Sequence, residues 1–377
     1  MLSVVMPRPY LSLVIPTRND AYPSNILPVQ NQCLSVLQRQ LEAARIDSEI
    51  IVVEYNSDPA NPHLHESLRV DCGRYVTIKV ITVPPPCHQR FPHSQRRVFH
   101  QTCAVNVGLR RSRGRFFVYR AADHLYSDSL VRFLGRKTLR DDCIYRCDRF
   151  DVHPSALDSV RPDRLDQITG ICEQHLVDWH QPLTVSPSYR IPALHTNACG
   201  DFLLMSREVW SQLGGLREGR FPIFLDYDSL LLYAAAALGN TQTILPSDCK
   251  VYKIDHGMKT TARLQQVWSP AARRMEGLVS RLEGLLPVTN GGTLVNWSRI
   301  VFNYPRRSDR SFPGVLLDSY ERHFVLPAFL WSHKFPFVRQ NYGDWGLGSE
   351  VLPEKTLVSA DWETVSPHPR TLAAFPG

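Results

Sequence analysis

The sequence predicts an α/β protein built on a mainly parallel sheet covered by helices. Two observations lead to this. Short apolar runs rich in β-formers recur through the first half, and most stop at a polar or acidic loop. Stretches of helical length and period separate several of them, and strands alternating with helices pair in parallel with both faces covered.

Tyr10 to Pro16 reads as the first strand, ending in Pro16-Thr17-Arg18-Asn19-Asp20. Leu27 to Arg45 follows as an amphipathic helix, with Leu34, Leu37 and Leu41 on one side. Glu49 to Val53 is a second strand that stops at Glu54-Tyr55-Asn56-Ser57-Asp58, and Val76 to Val83 is a third, closed by three prolines. Thr102 to Arg111 reads as a helix and Gly114 to Tyr119 as a fourth strand leading to Asp123. Residues from about 124 to 200 look irregular. A strand and helix resume over Phe202 to Gln212, and Asp228 to Leu238 is an apolar helix stopped by Gly239. Gln265 to Leu286 looks helical, and Pro305 to Gly377 an irregular, aromatic-rich cover. In parallel sheets ligands gather beyond the carboxyl ends of the strands, which is where these polar and acidic residues fall.

At 377 residues the chain exceeds one ordinary core, while 43% hydrophobic and 21% charged residues are usual for a folded globular protein. No apolar run is long enough to span a membrane. MLSVVMPRPY carries a proline and an arginine where the apolar region of a leader would sit, so the expected setting is the cytosol or the cytosolic face of a membrane. Nine cysteines without regular spacing fit reduced thiols, and no paired zinc-finger spacing accompanies Cys143 and Cys147 or Cys172 and His175. The net charge of +7 is uneven, because no acid falls between Asp71 and Asp123 while arginines crowd that segment. Such a run is either a solvated basic surface or a field that draws an anion. No nucleic-acid recognition motif accompanies it, so nucleic acid is not an expected partner.

Two stretches carry the chemistry: AVNVGLRRSRGRFFVYRAAD, from Ala104 to Asp123, and DFLLMSREVWSQLGGLREGRFPIFLDYD, from Asp201 to Asp228. In their order and spacing they resemble the family 2 glycosyltransferases, over roughly residues 10 to 260. That resemblance implies the GT-A (nucleotide-diphospho-sugar transferase) fold for residues 1–260, with 261–377 as a helical and irregular extension packed on it. It also implies transfer of a sugar from a UDP- or GDP-sugar to an acceptor hydroxyl, such as that of a glycan, with inversion. Pro16, Thr17 and Arg18 then correspond to the loop that lies against the nucleoside, and Glu54 to the acid that reads the base. Asn106 falls in the helix beneath the donor. Asp123 matches the last acid of the family's DxD motif, which holds Mn²⁺ or Mg²⁺, but the motif here reads Ala121-Ala122-Asp123. His256 matches a late histidine on the metal or diphosphate. Asp201 corresponds to an acceptor-side acid, and Asp226 to the general base that takes the acceptor proton.

Each residue also has a plainer reading. Asp123 can cap a turn, Asn106 and Gly108 can form a tight packing point, and His256 can be structural. Asp226 or Asp228 can cap the following helix; Asp228 is expected to cap and Asp226 to catalyse. Two other functions share the pattern. A sugar-phosphate nucleotidyltransferase would need a Gly- and Lys-containing loop after the first strand, which Pro16-Thr17-Arg18-Asn19-Asp20 lacks. A non-catalytic nucleotide- or glycan-binding descendant of a transferase would account for the missing DxD acid.

Overall fold

The computed structural model describes residues 8–20, 26–70, 73–91, 94–95, 98–179, 199–218, 227–255 and 339–357. The chain begins with β1 (Leu11–Thr17), α1 (Leu27–Ala43), β2 (Ser48–Tyr55), α2 (Leu64–Ser67), β3 (Val76–Val83), α3 (Pro85–Gln89) and α4 (Gln101–Arg110). It continues with β4 (Phe116–Tyr119), β5 (His124–Tyr126), α5 (Asp128–Gly135), β6 (Cys143–Arg146), β7 (Asp148–Val152), α6 (Ala156–Ser159), α7 (Ile168–Gln174) and β8 (Leu176–Trp179). Last come β9 (Leu203–Ser206), α8 (Arg207–Leu213), α9 (Tyr227–Ala237), β10 (Thr241–Ile244), β11 (Lys250–Ile254) and β12 (Glu354–Thr356).

The larger sheet has eight strands in the order β10-β6-β9-β4-β1-β2-β3-β12. Its middle, β3-β2-β1-β4, is parallel, with Leu11 opposite Ser48 on one side and Phe116 on the other. β9 runs antiparallel to β4 and β6, and β12 antiparallel to β3. The strands bury both faces. Leu11, Leu13 and Ile15 pack with Leu34, Leu37 and Leu41 of α1, while Val14 points the other way into Val105 and Val107 of α4. Each such side chain contributes about 1.5–3 kcal/mol on burial. α4 comes so close to β1 that a Cβ on Gly108 would lie 2.5 Å from Val14 Cγ1, so the packing point read from the sequence is real.

The boundaries differ from expectation for identifiable reasons. α4 starts at Gln101 because the His100 ring accepts the Cys103 amide. β4 starts at Phe116 because the Gly114 amide turns to Ser12 Oγ and Glu49 Oε1 rather than to a ladder.

Residues 124–179 are not irregular. They supply three of the four strands of a second sheet, ordered β5-β11-β7-β8, over a separate apolar cluster containing Leu125, Val152, Tyr252 and Ile254. Its strands lack a plain apolar pattern because β7 carries Asp148, Arg149 and Asp151, all buried, with Arg149 and Asp151 paired by charge. The stretch 339–357 likewise contains a strand, β12, whose three residues are all exposed. Backbone pairing with β3 holds it, so no hydrophobic period marks it.

Much of the acid-free segment is spent on this same stretch. Arg111 donates to the carbonyls of Gly346, Leu347 and Glu350 at 3.0, 2.8 and 2.9 Å. Arg110 lies over the Trp345 ring at 4.9 Å, Lys79 reaches Glu354 at 3.4 Å, and Arg90 pairs with Glu350. Trp345, Leu347 and Leu352 join the buried cluster of α4 and α8. No described helix is long and apolar enough to cross a membrane.

Candidate functional site

β1 has β2 on one side and parallel β4 on the other, so the order in which strands are added reverses between β1 and β4, and in open parallel sheets the crevice beyond the carboxyl ends at such a point is where ligands bind. Pro16 and Thr17 close β1, and the Thr17 hydroxyl donates to Gln30 Oε1 of α1 at 3.1 Å. Arg18 pairs with Asp20 at 2.8 Å and lies over the Phe99 ring at 5.7 Å. Asn19 ties this turn to the loop after β2, through its amide to Ser57 Oγ at 3.1 Å and its side chain to the Pro62 carbonyl. Glu54, at the end of β2, is 0% exposed; Thr82 Oγ1 donates to its Oε2 at 3.2 Å.

Asp123 follows β4, is 4% exposed, and its carbonyl accepts the Ile254 amide from β11. Beside it the His124 ring is fully buried. Ala121 N donates to His124 Nδ1 at 3.3 Å, which leaves the proton on Nε2; that nitrogen lies 3.2 Å from Asp201 Oδ1 and 3.7 Å from Asp123 Oδ1. Burial lowers the His124 pKa against the pull of both acids, so the ring is neutral near pH 7. Asp201 also receives Arg149 at 2.6 Å and faces Lys253 at 3.8 Å. Burial alone would raise its pKa, but Lys253, His124 and Arg149 outweigh it and hold the carboxyl well below the usual range. Asp201 is therefore a fixed anion, and Arg149 is shared between it and Asp151.

A second group adjoins this one. Gln101 donates to the Tyr119 hydroxyl, which lies 3.4 Å from the Tyr227 hydroxyl. Burial raises both phenols, so both stay protonated. Asp228 sits in the first turn of α9, where a helix favours an acid. A Cβ on Gly200 would lie 2.7 Å from its carboxylate, so the Asp228 side chain packs directly against the residue before Asp201. Asp226 and His256 lie outside the described residues.

Asn106 is buried behind the crevice. Its Nδ2 donates to the Leu216 carbonyl at 2.6 Å and to Glu218 Oε1 at 2.8 Å, and its Oδ1 accepts the Leu216 amide at 2.7 Å. Gly214 and Gly215, with φ of 74° and 71°, shape the turn that presents these groups. A Cβ at Gly215 would collide with Asn106 Oδ1. Asn106 thus anchors the Gly-Gly segment, and the described contacts of its side chain are all internal. Glu218 also accepts the Gly346 amide at 2.8 Å, and burial pushes its carboxyl up to about 7.

A hard cation can be held by one or two carboxylates together with substrate phosphate oxygens. Asp123 meets that minimum, next to an uncharged imidazole that does not repel a cation. No group of three candidate ligands closes around it among the described residues; the one such group is Glu54, His63 and His65.

Sequence reasoning missed Arg149, Tyr119, Tyr227 and Glu218. A signal for Arg149 existed, since the Asp148-Arg149-Phe150-Asp151 alternation places Arg149 and Asp151 on one face of a strand. For Glu218 there was none, because its partner lies 112 positions away.

No protein-family model and no curated protein matches the sequence. Among solved structures the chain is similar to the catalytic domain of Drosophila beta1,4-galactosyltransferase 7 in complex with xylobiose, at 13% identity and a TM-score of 0.32. The match covers 62% of this chain and 63% of that one, so the chain spans less than two thirds of that domain. A likeness at this level carries no assignment of substrate or mechanism.

Proposed function

We propose that the protein is a glycosyltransferase that moves a sugar from a UDP- or GDP-sugar to an acceptor hydroxyl. One observation carries the reading. Thr17, Arg18, Glu54 and Asp123, singled out from the sequence as donor-side residues, all fall at the carboxyl ends of three adjacent parallel strands, where an α/β sheet binds nucleotides. The buried acid Asp201 and the helix start at Tyr227-Asp228 adjoin Tyr119 at the end of β4.

In the proposed reaction the bond from the anomeric carbon to the diphosphate breaks and the electron pair leaves with the diphosphate. The acceptor oxygen forms the new bond from the opposite face, giving inversion. Asp226 takes the acceptor proton, since a hydroxyl is a weak nucleophile at neutral pH until a base removes its proton. Asp201, fixed as an anion by Arg149 and Lys253, orients the acceptor by accepting a hydrogen bond from a second hydroxyl. Asp123, with His256, would hold a divalent cation together with the donor phosphates. The cation supplies charge neutralisation for the departing diphosphate.

Thermal stability with UDP, GDP, CDP and ADP, each with and without Mn²⁺, tests the donor reading. A ligand at a hundredfold excess over Kd stabilises the native state by about 2.7 kcal/mol. A rise for one nucleotide that needs Mn²⁺ and disappears in Asp123→Ala supports the reading. No rise with any of the four overturns it.

A further inference from the structure

We infer that Glu54, His63 and His65 form a binding site for a borderline divalent cation of the zinc type, separate from Asp123. One candidate ligand atom from each lies within 4.8 Å of the other two. Two imidazoles and one carboxylate with an open fourth position are a ligand set that zinc takes readily, whereas magnesium prefers oxygen alone.

Glu54 is the fixed member. It is fully buried at the end of β2, and among the described residues its Oε1 has no hydrogen-bond partner. A buried carboxylate oxygen left in that state is costly unless a cation or donor reaches it. His63 Nδ1 stands 3.4 Å from Glu54 Oε2. That is long for a charge-assisted hydrogen bond, but it matches the separation of roughly 3.4 Å between two ligands about 2.1 Å from a tetrahedral zinc. The His63 and His65 rings are stacked, 5.4 Å between centroids and 17° from parallel, and because an imidazole lone pair lies in its ring plane one ring turns for both to reach the same ion.

The backbone that carries the histidines is already held. His63 caps α2, its amide donating to Glu66 Oε2 at 3.1 Å. Asn61 donates to the Asn19 carbonyl at 2.8 Å, and the Asn19 side chain returns a bond to the Pro62 carbonyl. The entropy of ordering this loop is therefore spent before a cation arrives. The side chains of His63 and His65, 55% and 25% exposed, retain the freedom to close the last ångström or so onto the ion.

The test uses the full chain, stripped with a chelator and titrated with Co²⁺ alone while visible absorption is followed. Expected is one equivalent bound with a tetrahedral d–d band. His63→Ala, His65→Ala and Glu54→Gln should each weaken binding by at least the roughly 10–100-fold that even outer-shell changes cost. Asp123→Asn should leave the band unchanged, which separates this site from the cation position at Asp123. Because His63 and His65 are on the surface, their variants should keep the wild-type circular dichroism without metal. If either does not, His65→Gln takes its place and should show the same loss. Absence of the band, or its survival in both histidine variants, overturns the site.

Discussion

Arg149 on the small sheet donates at 2.6 Å to Asp201, two residues before β9 of the large sheet, and this contact ties the two sheets together. Both side chains are largely buried, and Asp151 shares the same guanidinium. Asp201→Ala should cost about 3–5 kcal/mol, because it leaves a buried cation short of a counter-charge. The folded-state pKa of Asp201 is depressed, so its stabilising contribution is complete above the unfolded carboxylate value near 3.8 and fades as pH falls below it. Urea unfolding at pH 7 and pH 3 should therefore show a larger loss on acidification in the wild type than in Asp201→Asn.

Glu218 should act in the opposite sense. Its folded-state pKa is raised by burial from 4.5 to about 7, so the folded state keeps a proton that the unfolded chain releases. Stability should decline as pH rises between those two values, by at most about 1.4 kcal/mol per pH unit for a single group, and level off above. Glu218→Gln retains an acceptor for Asn106 and Gly346 and should flatten that slope in chemical denaturation. A slope unchanged by the substitution would assign it to another group.

For catalysis, Asp226→Asn should leave nucleotide binding intact and lower turnover by about 10²–10⁴-fold. Asp228→Asn should instead cost stability, about 0.3–1 kcal/mol for an acid in the first turn of a helix. Turnover kinetics on both variants decide between them. Loss of turnover in Asp228→Asn alone would transfer the base role to Asp228.

The approach of α4 to β1 gives a test of the fold itself. Gly108→Ala places a methyl 2.5 Å from Val14 Cγ1 and should destabilise by about 1–3 kcal/mol through overpacking. Val14→Ala in the same chain should restore part of that loss. Full additivity of the two in denaturant midpoints would refute the contact.

How much was legible in the sequence follows the range of the interactions. The first three strands, α1, α4 and α9 were readable within a few residues, because apolar period and stop residues are local signals. So was the position of Asp123, in the short loop between β4 and β5. The second sheet was not, since Arg149 and Asp151 satisfy each other where apolar residues would have announced a strand. Nor was β12, which its neighbour β3 and Lys79 hold in place.

The sequence by itself determined the alternation of strands and helices and put polar residues at the strand ends. Tertiary structure alone decided their partners: Asp201 with Arg149, Asn106 with Glu218, and Glu54 with His63 at the start of α2. The physical reason is that periodicity is written into neighbouring residues. A buried charge or amide takes its partner from whatever strand order and packing bring within about 3 Å, however far away in the chain that partner lies.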